Sequence, residues 1–407
     1  MVVSSPVTEK KLHVIYLGLN EFPFGLAETQ RATLIALGLV ESGCEVTVVS
    51  RCWSAEQWDA ASGLPAEGVS QGIKYVNTSG TLTRPVSSVE RKVRRLQGVV
   101  RETGLVIRRG LTGRLDVAIL STGSSPRILY FWILSRLAGF AIVLNRVEQY
   151  TSTIRNPNVF KRANAFLLDH YAPRLADGVI PISSFLVDQT KQIAPGKPWL
   201  KVPILVDRSR FDGIARSAEC TYLLFAGYLA YLGVVKFILR AFDSCRTEKD
   251  VYLYLVVNGS AVEMAQLQAE VASCRKREFV RVYSKLTDRE LSKLYINAYA
   301  LLIPLRPTVQ DIARFPHKIG EYCASGRPMV TTNIGEVRDY FTNRETAFLV
   351  QNYEEREYAH ALEEVLEDPA LADRVGREAM KLAERTFHYQ AYGRKVRAFI
   401  EQLVERS

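Results

Sequence analysis

The sequence predicts an α/β protein made of two doubly wound, Rossmann-like domains that face each other across a cleft. Three observations predict it. Apolar runs of strand length alternate with helical stretches, and the alternation starts afresh after a polar stretch at 207–220. A chain of 407 residues is also too long for one core and fits two domains of roughly 150–200 residues. In the first series LHVIYLGL (12–19) is a buried strand by its length and branched residues. FPFGLAETQRATLIALGLVESG then gives a turn and apolar residues at helical spacing, stopped by Gly43, and EVTVVS (45–50) closes a βαβ unit. Further strands are expected at DVAILS (116–121), FAIVLN (140–145) and DGVIPIS (177–183), with helices between them. In the second series TYLLFAG (221–227), VYLYLVVNG (251–259), FVRVYS (279–284), AYALLIPL (298–305) and PMVTT (328–332) are the strands. These series set domains at 1–206 and 207–385, with a separate C-terminal helix in 386–407. Ligands of such sheets sit outside the carboxyl ends of the strands, so two facing sheets place both sets of loops around one cleft.

Composition narrows the class. Hydrophobic residues at 47% and charged residues at 24% are globular values. The first ten residues lack a basic start and a long apolar run, so no secretory signal is expected. The longest apolar stretch, Ile128 to Leu144, is broken by Arg136 and Gly139 and is expected to be a helix and a buried strand, not a membrane span. Six cysteines (Cys44, Cys52, Cys220, Cys245, Cys274, Cys323) show no paired spacing, which argues against a disulfide framework or a zinc site and for a reducing, cytoplasmic setting.

The net charge is +10. Nine basic residues crowd between Arg84 and Arg114, against Glu90 and Glu102, with Leu96, Val99, Val100, Leu105, Val106 and Ile107 interleaved. A solvated helix face accounts for this as simply as a surface drawn to polyanions does. The interleaving suits an interfacial segment, with Arg94, Arg95, Arg108 and Arg109 as its contacts to membrane phosphates at the inner face of a membrane. Nucleic acid is not expected, because no DNA- or RNA-binding motif accompanies the basic run.

Two segments carry chemistry. In FPFGLAETQR, Gly25 follows a strand and precedes a helix, so its backbone can approach a phosphate at a helix N-terminus, although a plain turn glycine explains it equally well. Neither a GxGxxG fingerprint nor a GxxxxGK[ST] loop is present. In RFPHKIGEYCASGRPMVTTNIGEV (314–337) a turn leads into a short helix with Lys318 and Glu321 on one face. There the helix start and Lys318 suit a diphosphate and Glu321 suits ribose hydroxyls. The plainer alternative is a surface Lys–Glu pair.

This second segment resembles the donor-binding signature of glycosyltransferase family 4, the "group 1" glycosyltransferases that share the two-domain GT-B fold with glycogen synthase. Pro316, Lys318, Glu321, Tyr322, Ala324, Gly326, Pro328, Val330, Gly335 and Glu336 match its pattern, approximately P-x-K-x-x-E-[YA]-x-A-x-G-x-P-V-V followed by G-G or G-E. Gly25-Leu26-Ala27 stands where the family often has G-G-A. ADGVIPISSFLVDQ (176–189) and KVPILVDRSRF (201–211) are similar to two further family stretches, while 52–115 matches poorly.

The resemblance implies a retaining, metal-independent hexosyl transfer from a nucleotide sugar, UDP- or GDP-linked, with no cofactor. The first domain would take the acceptor, a saccharide or a lipid-linked sugar of cell-surface polysaccharide or glycolipid synthesis, and the second would take the donor. Lys318 would face the donor diphosphate with His317 and Arg314 beside it, and Glu321 would bind the ribose. Gly227 would lie close to the phosphates, and the backbone from Tyr283 to Leu286 would rest against the base. Glu148 falls near the place of a catalytic-site His, so the catalytic candidates are Glu148, Lys318 and Arg314. The final helix would cross back to the first domain.

Two departures matter. The family's E-x7-E begins with a glutamate, but Ala313 stands there, and the basic pair after the glycine turn is replaced by Tyr228 and Leu232, with Lys236 four residues on. An epimerase or phosphorylase of the same fold finds no assignable carboxylates or cofactor lysine. A catalytically degenerate glycosyltransferase-like accessory subunit is the alternative that the departures favour.

Overall fold

The computed structural model describes residues 11–51, 53, 63–155, 158–217, 219–247 and 250–406; the expectations for the first ten residues and for Cys52 fall outside them. In chain order the first domain runs β1 (His13–Leu17), α1 (Ala27–Glu41), β2 (Glu45–Ser50), β3 (Glu67–Ser70), β4 (Ile73–Asn77), α2 (Ser88–Leu111), β5 (Val117–Leu120), α3 (Ser125–Ala138), β6 (Ala141–Arg146), α4 (Tyr150–Thr153), α5 (Val159–His170), α6 (Ala172–Leu175), β7 (Gly178–Pro181) and α7 (Ser184–Ile193). Its seven strands lie in the order β3-β4-β2-β1-β5-β6-β7, parallel except where β3 pairs with β4. Alternating side chains of β1 serve two layers: Val14 and Tyr16 pack under α1, while Ile15 and Leu17 pack under α2, α3 and α5. The apolar stretch at 128–144 is α3, ended by Gly139 in the left-handed conformation at φ 70°, and then β6. No described helix is long and apolar enough to cross a membrane.

The second domain continues with β8 (Thr221–Tyr228), α8 (Leu232–Ser244), β9 (Val251–Asn258), α9 (Ala261–Ser273), β10 (Val280–Tyr283), α10 (Asp288–Asn297), β11 (Ala300–Ile303), α11 (Val309–Ala313), α12 (His317–Ala324), β12 (Met329–Thr332), α13 (Glu336–Tyr340), β13 (Phe348–Val350), α14 (Glu355–Glu367), α15 (Pro369–Thr386) and α16 (Tyr389–Val404). The strand order is β10-β9-β8-β11-β12-β13 and every pairing is parallel. Tyr222, Leu224 and Ala226 of β8 face the layer of α10, α12 and α15, whereas Leu223 and Phe225 face α8, α9 and α14.

Two stretches join the domains side by side: the Val206 amide donates to Phe387 O at 2.9 Å. Beyond that pairing α16 lies on the first domain, burying Tyr392, Val396, Phe399, Ile400 and Leu403 in the same cluster as Ile35 and Leu39 of α1. Gly38 and Gly393 meet where the helices cross. A Cβ built on Gly393 would stand 2.2 Å from Gly38 O, so only glycine permits this approach.

Each sheet reverses its strand order once, at β1/β5 and at β8/β11. The loops leaving those four strands line one cavity between the domains, where open α/β sheets place ligands.

Candidate active site in the interdomain cleft

The cavity encloses about 500 Å³, within the size range of small-molecule sites. The first domain contributes Gly25 to Glu28 from the loop into α1, Arg31, Ser121 after β5, Asn145 of β6, and Val147 and Glu148 just after it. From the second domain come Gly227, Tyr228 and Tyr231 after β8, Asn258 after β9, Lys285 and Leu286 after β10, and the run Arg314 to Lys318 with Glu321. A second cavity of about 410 Å³ adjoins it and shares Gly25, Gln30, Asp288, His317 and Glu321.

The candidate residues taken from the sequence mostly meet here. Gly25, Glu148, Gly227, Leu286, Arg314, His317, Lys318 and Glu321 all line the larger cavity. Tyr283 does not: its ring packs 5.1 Å from Tyr254 in an aromatic cluster beside the sheet. The backbone next to it does reach the site. Lys285 takes the left-handed conformation at φ 55°, and its amide donates to Asn258 Oδ1 at 3.0 Å. At Gly25 a Cβ would stand 2.1 Å from Thr29 Oγ1, a local reason for glycine. Neither α1 nor α12 has a side-chain N-cap, since Leu26 and Pro316 occupy those positions, so first-turn N–H groups of both helices are left at the cavity wall.

Lys318, the second residue of α12, is half-buried and makes no hydrogen bond or ion pair among the described residues. Burial pushes its amine below the usual lysine range despite the Glu321 charge. One turn on, Glu321 is buried and ion-paired with Arg210, while Tyr295 Oη donates to its other oxygen at 3.4 Å. Burial opposes ionisation of Glu321, but Arg210, His317 and Lys318 outweigh it and hold the carboxyl below its ordinary value. His317 stands 4.0 Å from Glu321, and burial lowers the imidazole to about 4, so it is neutral at pH 7. Arg314 bonds to Asp311 at 2.7 Å and lies over the Tyr231 ring at 4.7 Å, with its Nε buried and unbonded.

The departures from the family pattern acquire a geometry. Ala313 is fully buried and its carbonyl accepts from Ser183 Oγ, while Asp311 is held by Arg306 and Arg314. Tyr228 is exposed at the rim. Lys236 is turned away to Glu270, at 2.6 Å.

Residue-type reasoning passed over several groups in this site. Glu28 opens onto the cavity, accepting from Asn20 Nδ2 at 3.3 Å and Ser121 Oγ at 3.4 Å. Enclosure by the cleft walls pushes its carboxyl up to about 7, with Glu148 adding to the rise. Glu148 is itself raised by burial, opposed by Arg314. Arg31 is buried and holds the interdomain segment through Val202 O at 2.8 Å and Pro203 O at 2.6 Å. The signal for Glu28 was its place in the first turn after Gly25. Arg31 and Arg210 have no local signal, since their partners are over a hundred residues away. Among the described residues no group of three or more His, Cys, Asp or Glu is placed to hold a metal.

The basic segment is α2, none of whose residues lines this cavity. Arg94 bonds to Glu90 at 2.7 Å, Arg95 lies over the Trp53 ring at 5.3 Å, and Arg109 turns inward to Thr47 Oγ1 at 2.9 Å; Arg108 is exposed. Gly98, Glu102 and Val106 mark the buried side of the helix. Val89, Val93, Leu96, Val100 and Leu111 are exposed, and their three-, four- and eleven-residue spacing puts them on one stripe opposite that side.

Comparison with known proteins places the fold and the second domain. The sequence model of the family described as glycosyl transferases group 1 matches residues 211–382. No curated protein matches the chain. Among solved structures, sucrose-phosphate synthase from Thermosynechococcus elongatus aligns with a TM-score of 0.75 at 13% identity, covering 98% of this chain and 100% of that one. A glycosyltransferase from Rickettsia africae aligns at 0.70 and 13%, covering 98% and 100%. HepE from Anabaena, solved in complex with UDP, aligns at 0.68 and 13%, covering 96% and 100%. The chain therefore has the two-domain GT-B fold, and its second domain belongs to the group 1 glycosyltransferases.

Proposed function

We propose that the chain transfers a sugar from a UDP- or GDP-sugar to an acceptor bound on the first domain, with retention of configuration and without a divalent metal. The observation that carries this is the ammonium of Lys318. It sits half-buried and unpaired at a helix start that already repels cations, an arrangement that an anionic ligand would relieve. The donor diphosphate would lie against Lys318, Arg314 and the backbone at Gly25 and Gly227. The ribose hydroxyls would donate to Glu321 beside Arg210, and the base would rest on the backbone at Lys285 and Leu286. The departing phosphate oxygen takes the acceptor proton on the same face, so positioning and stabilisation of the leaving charge are the protein's main contribution. Glu148 and Glu28 stand on the acceptor side of the cavity.

The test is release of nucleotide from UDP-, GDP- and ADP-sugars in chelator, comparing wild type with Lys318→Ala and Glu321→Gln. Release from one donor that both substitutions cut at least tenfold is expected. Affinity for nucleotide sugar with no turnover on any acceptor would favour an accessory subunit instead.

The acceptor is proposed to be lipid-linked, because α2 turns an apolar stripe outward and flanks it with Lys92, Arg101 and Arg108, a pattern that suits an in-plane helix on an anionic bilayer. Wild type should sediment with phosphatidylglycerol vesicles, and the pair Leu96→Asp, Val100→Asp should not. Equal sedimentation of both would refute the contact.

A further inference from the structure

Three arginines gather around one ring at the edge of the donor side, and one of them, Arg314, lines the larger cavity itself. Tyr231, in the short turn between β8 and α8, lines the cavity. The guanidinium carbons of Arg314, Arg155 and Arg306 stand 4.7, 5.1 and 5.5 Å from its ring centroid. Arg306 and Arg314 come from the second domain, but Arg155 comes from the first, just after α4. Asp311, 1% exposed, is the only carboxylate among the described residues in ion-pair contact with any of the three; it serves Arg306 at 2.8 Å and Arg314 at 2.7 Å. Arg155 donates to the Ala230 carbonyl, and no described carboxylate lies within ion-pair distance of it. The nearest acidic influence, Glu263, is engaged with the Ser260 amide and hydroxyl at 2.8 and 2.9 Å. Asp311 is shared by Arg306 and Arg314, and the Glu148 carboxylate also acts on Arg314, so the positive charge left unmatched on this aromatic platform is carried chiefly by Arg155. Like charges this close repel each other unless an anion joins them, and Arg314 Nε is still without an acceptor.

An anion with two or more negative charges and several acceptor oxygens fits this arrangement, since planar guanidiniums bind phosphate oxygens in pairs while their faces remain stacked on the ring. We propose that Arg155, reaching the Tyr231 ring from the opposite domain beside Arg314, adds a cationic contact from across the cleft to the diphosphate held by Lys318 and Arg314. The inference rests on the nucleotide-sugar reading of the cavity and adds a residue of the opposite domain to it. Its consequence is mechanical: a bound diphosphate is gripped by both domains at once, so donor binding favours the closed cleft, and loss of the diphosphate after transfer releases it.

Titration calorimetry on the full chain tests this with UDP, GDP, uridine and guanosine as probes, for wild type, Arg155→Ala, Arg155→Lys and Tyr231→Leu. Arg155 is exposed, so its substitutions should leave the melting temperature unchanged. Arg155→Ala is expected to weaken the preferred nucleoside diphosphate about tenfold, as for one lost charge-assisted contact, and to leave the matching nucleoside unaffected. Arg155→Lys should recover part of the loss, and Tyr231→Leu should weaken the diphosphate at least as much as Arg155→Ala. A wild type that binds UDP or GDP with Arg155→Ala binding it equally well overturns the inference and leaves the donor reading standing. A wild type that binds neither overturns both.

Discussion

Replacing Lys318 by methionine is expected to move stability and ligand affinity in opposite directions. Methionine matches lysine in length and in helix propensity, so the substitution removes the charge and little else. Two costs of that charge disappear in the unliganded protein. The cation no longer sits in the first turn of α12, where the helix dipole disfavours it by about 0.3–1 kcal/mol. The half-buried ammonium no longer has to be desolvated without an ion pair, the condition that lowers its pKa. Together these predict a gain of about 1 kcal/mol, visible as a higher urea midpoint with unchanged slope. The diphosphate loses a charge-assisted contact worth about 1.5–3 kcal/mol, so nucleotide affinity should fall roughly 10- to 150-fold by calorimetry. A variant less stable than wild type without nucleotide would show that Lys318 is a structural residue. Unchanged affinity would show that the diphosphate lies elsewhere.

Glu28 keeps its proton up to about pH 7 when folded but loses it near its ordinary 4.5 when unfolded. The native state therefore binds the extra proton in that window, and stability falls as pH rises through it; Glu28→Gln should remove this slope from urea midpoints taken between pH 4.5 and 7. Glu321→Leu leaves the half-buried Arg210 without its partner and should cost about 2–3 kcal/mol, whereas adding Arg210→Met should restore most of it, read by the same unfolding assay. If the double variant is no better than the single one, the pair is not the coupled unit described here. Gly393→Ala gains about 1 kcal/mol of helix propensity, but its Cβ meets the backbone of α1, so a net loss of about 1–3 kcal/mol is expected in thermal unfolding. A neutral or stabilising result would mean that the helices do not cross at this contact.

The fold was legible wherever apolar period and length agreed. LHVIYLGL, EVTVVS and TYLLFAG announce buried parallel strands because branched and aromatic residues fill them without a break. The β3–β4 edge was not legible. Its strands are four and five residues long and partly exposed, so EGVS and IKYVN carry no continuous apolar run. The site divided in the same way. HKIGEYCASGRP is one local helix with its loop, so Lys318 and Glu321 could be named from the residues alone. Arg210, Arg155 and Tyr231 act through partners supplied by distant segments, and spacing along the chain does not encode such meetings. The stretch from Tyr283 to Leu286 is named through the resemblance, not from residue chemistry; the Tyr283 ring packs on Tyr254, while Lys285 and Leu286 line the cavity.

The crossing of α16 over α1 also fixes an order of events during synthesis. The strands of the first domain leave the ribosome within the first 181 residues, but the helix that covers Ile35 and Leu39 of α1 is built from residues 389–404. At 5–20 residues per second, the second domain passes through in roughly 10–40 s, and for that time α1 rests on its own sheet without the helix that covers its other side. The second domain is contiguous from β8 to α15 and meets no such delay. The first domain is thus begun before the second and completed after it, by the helix that packs on α1.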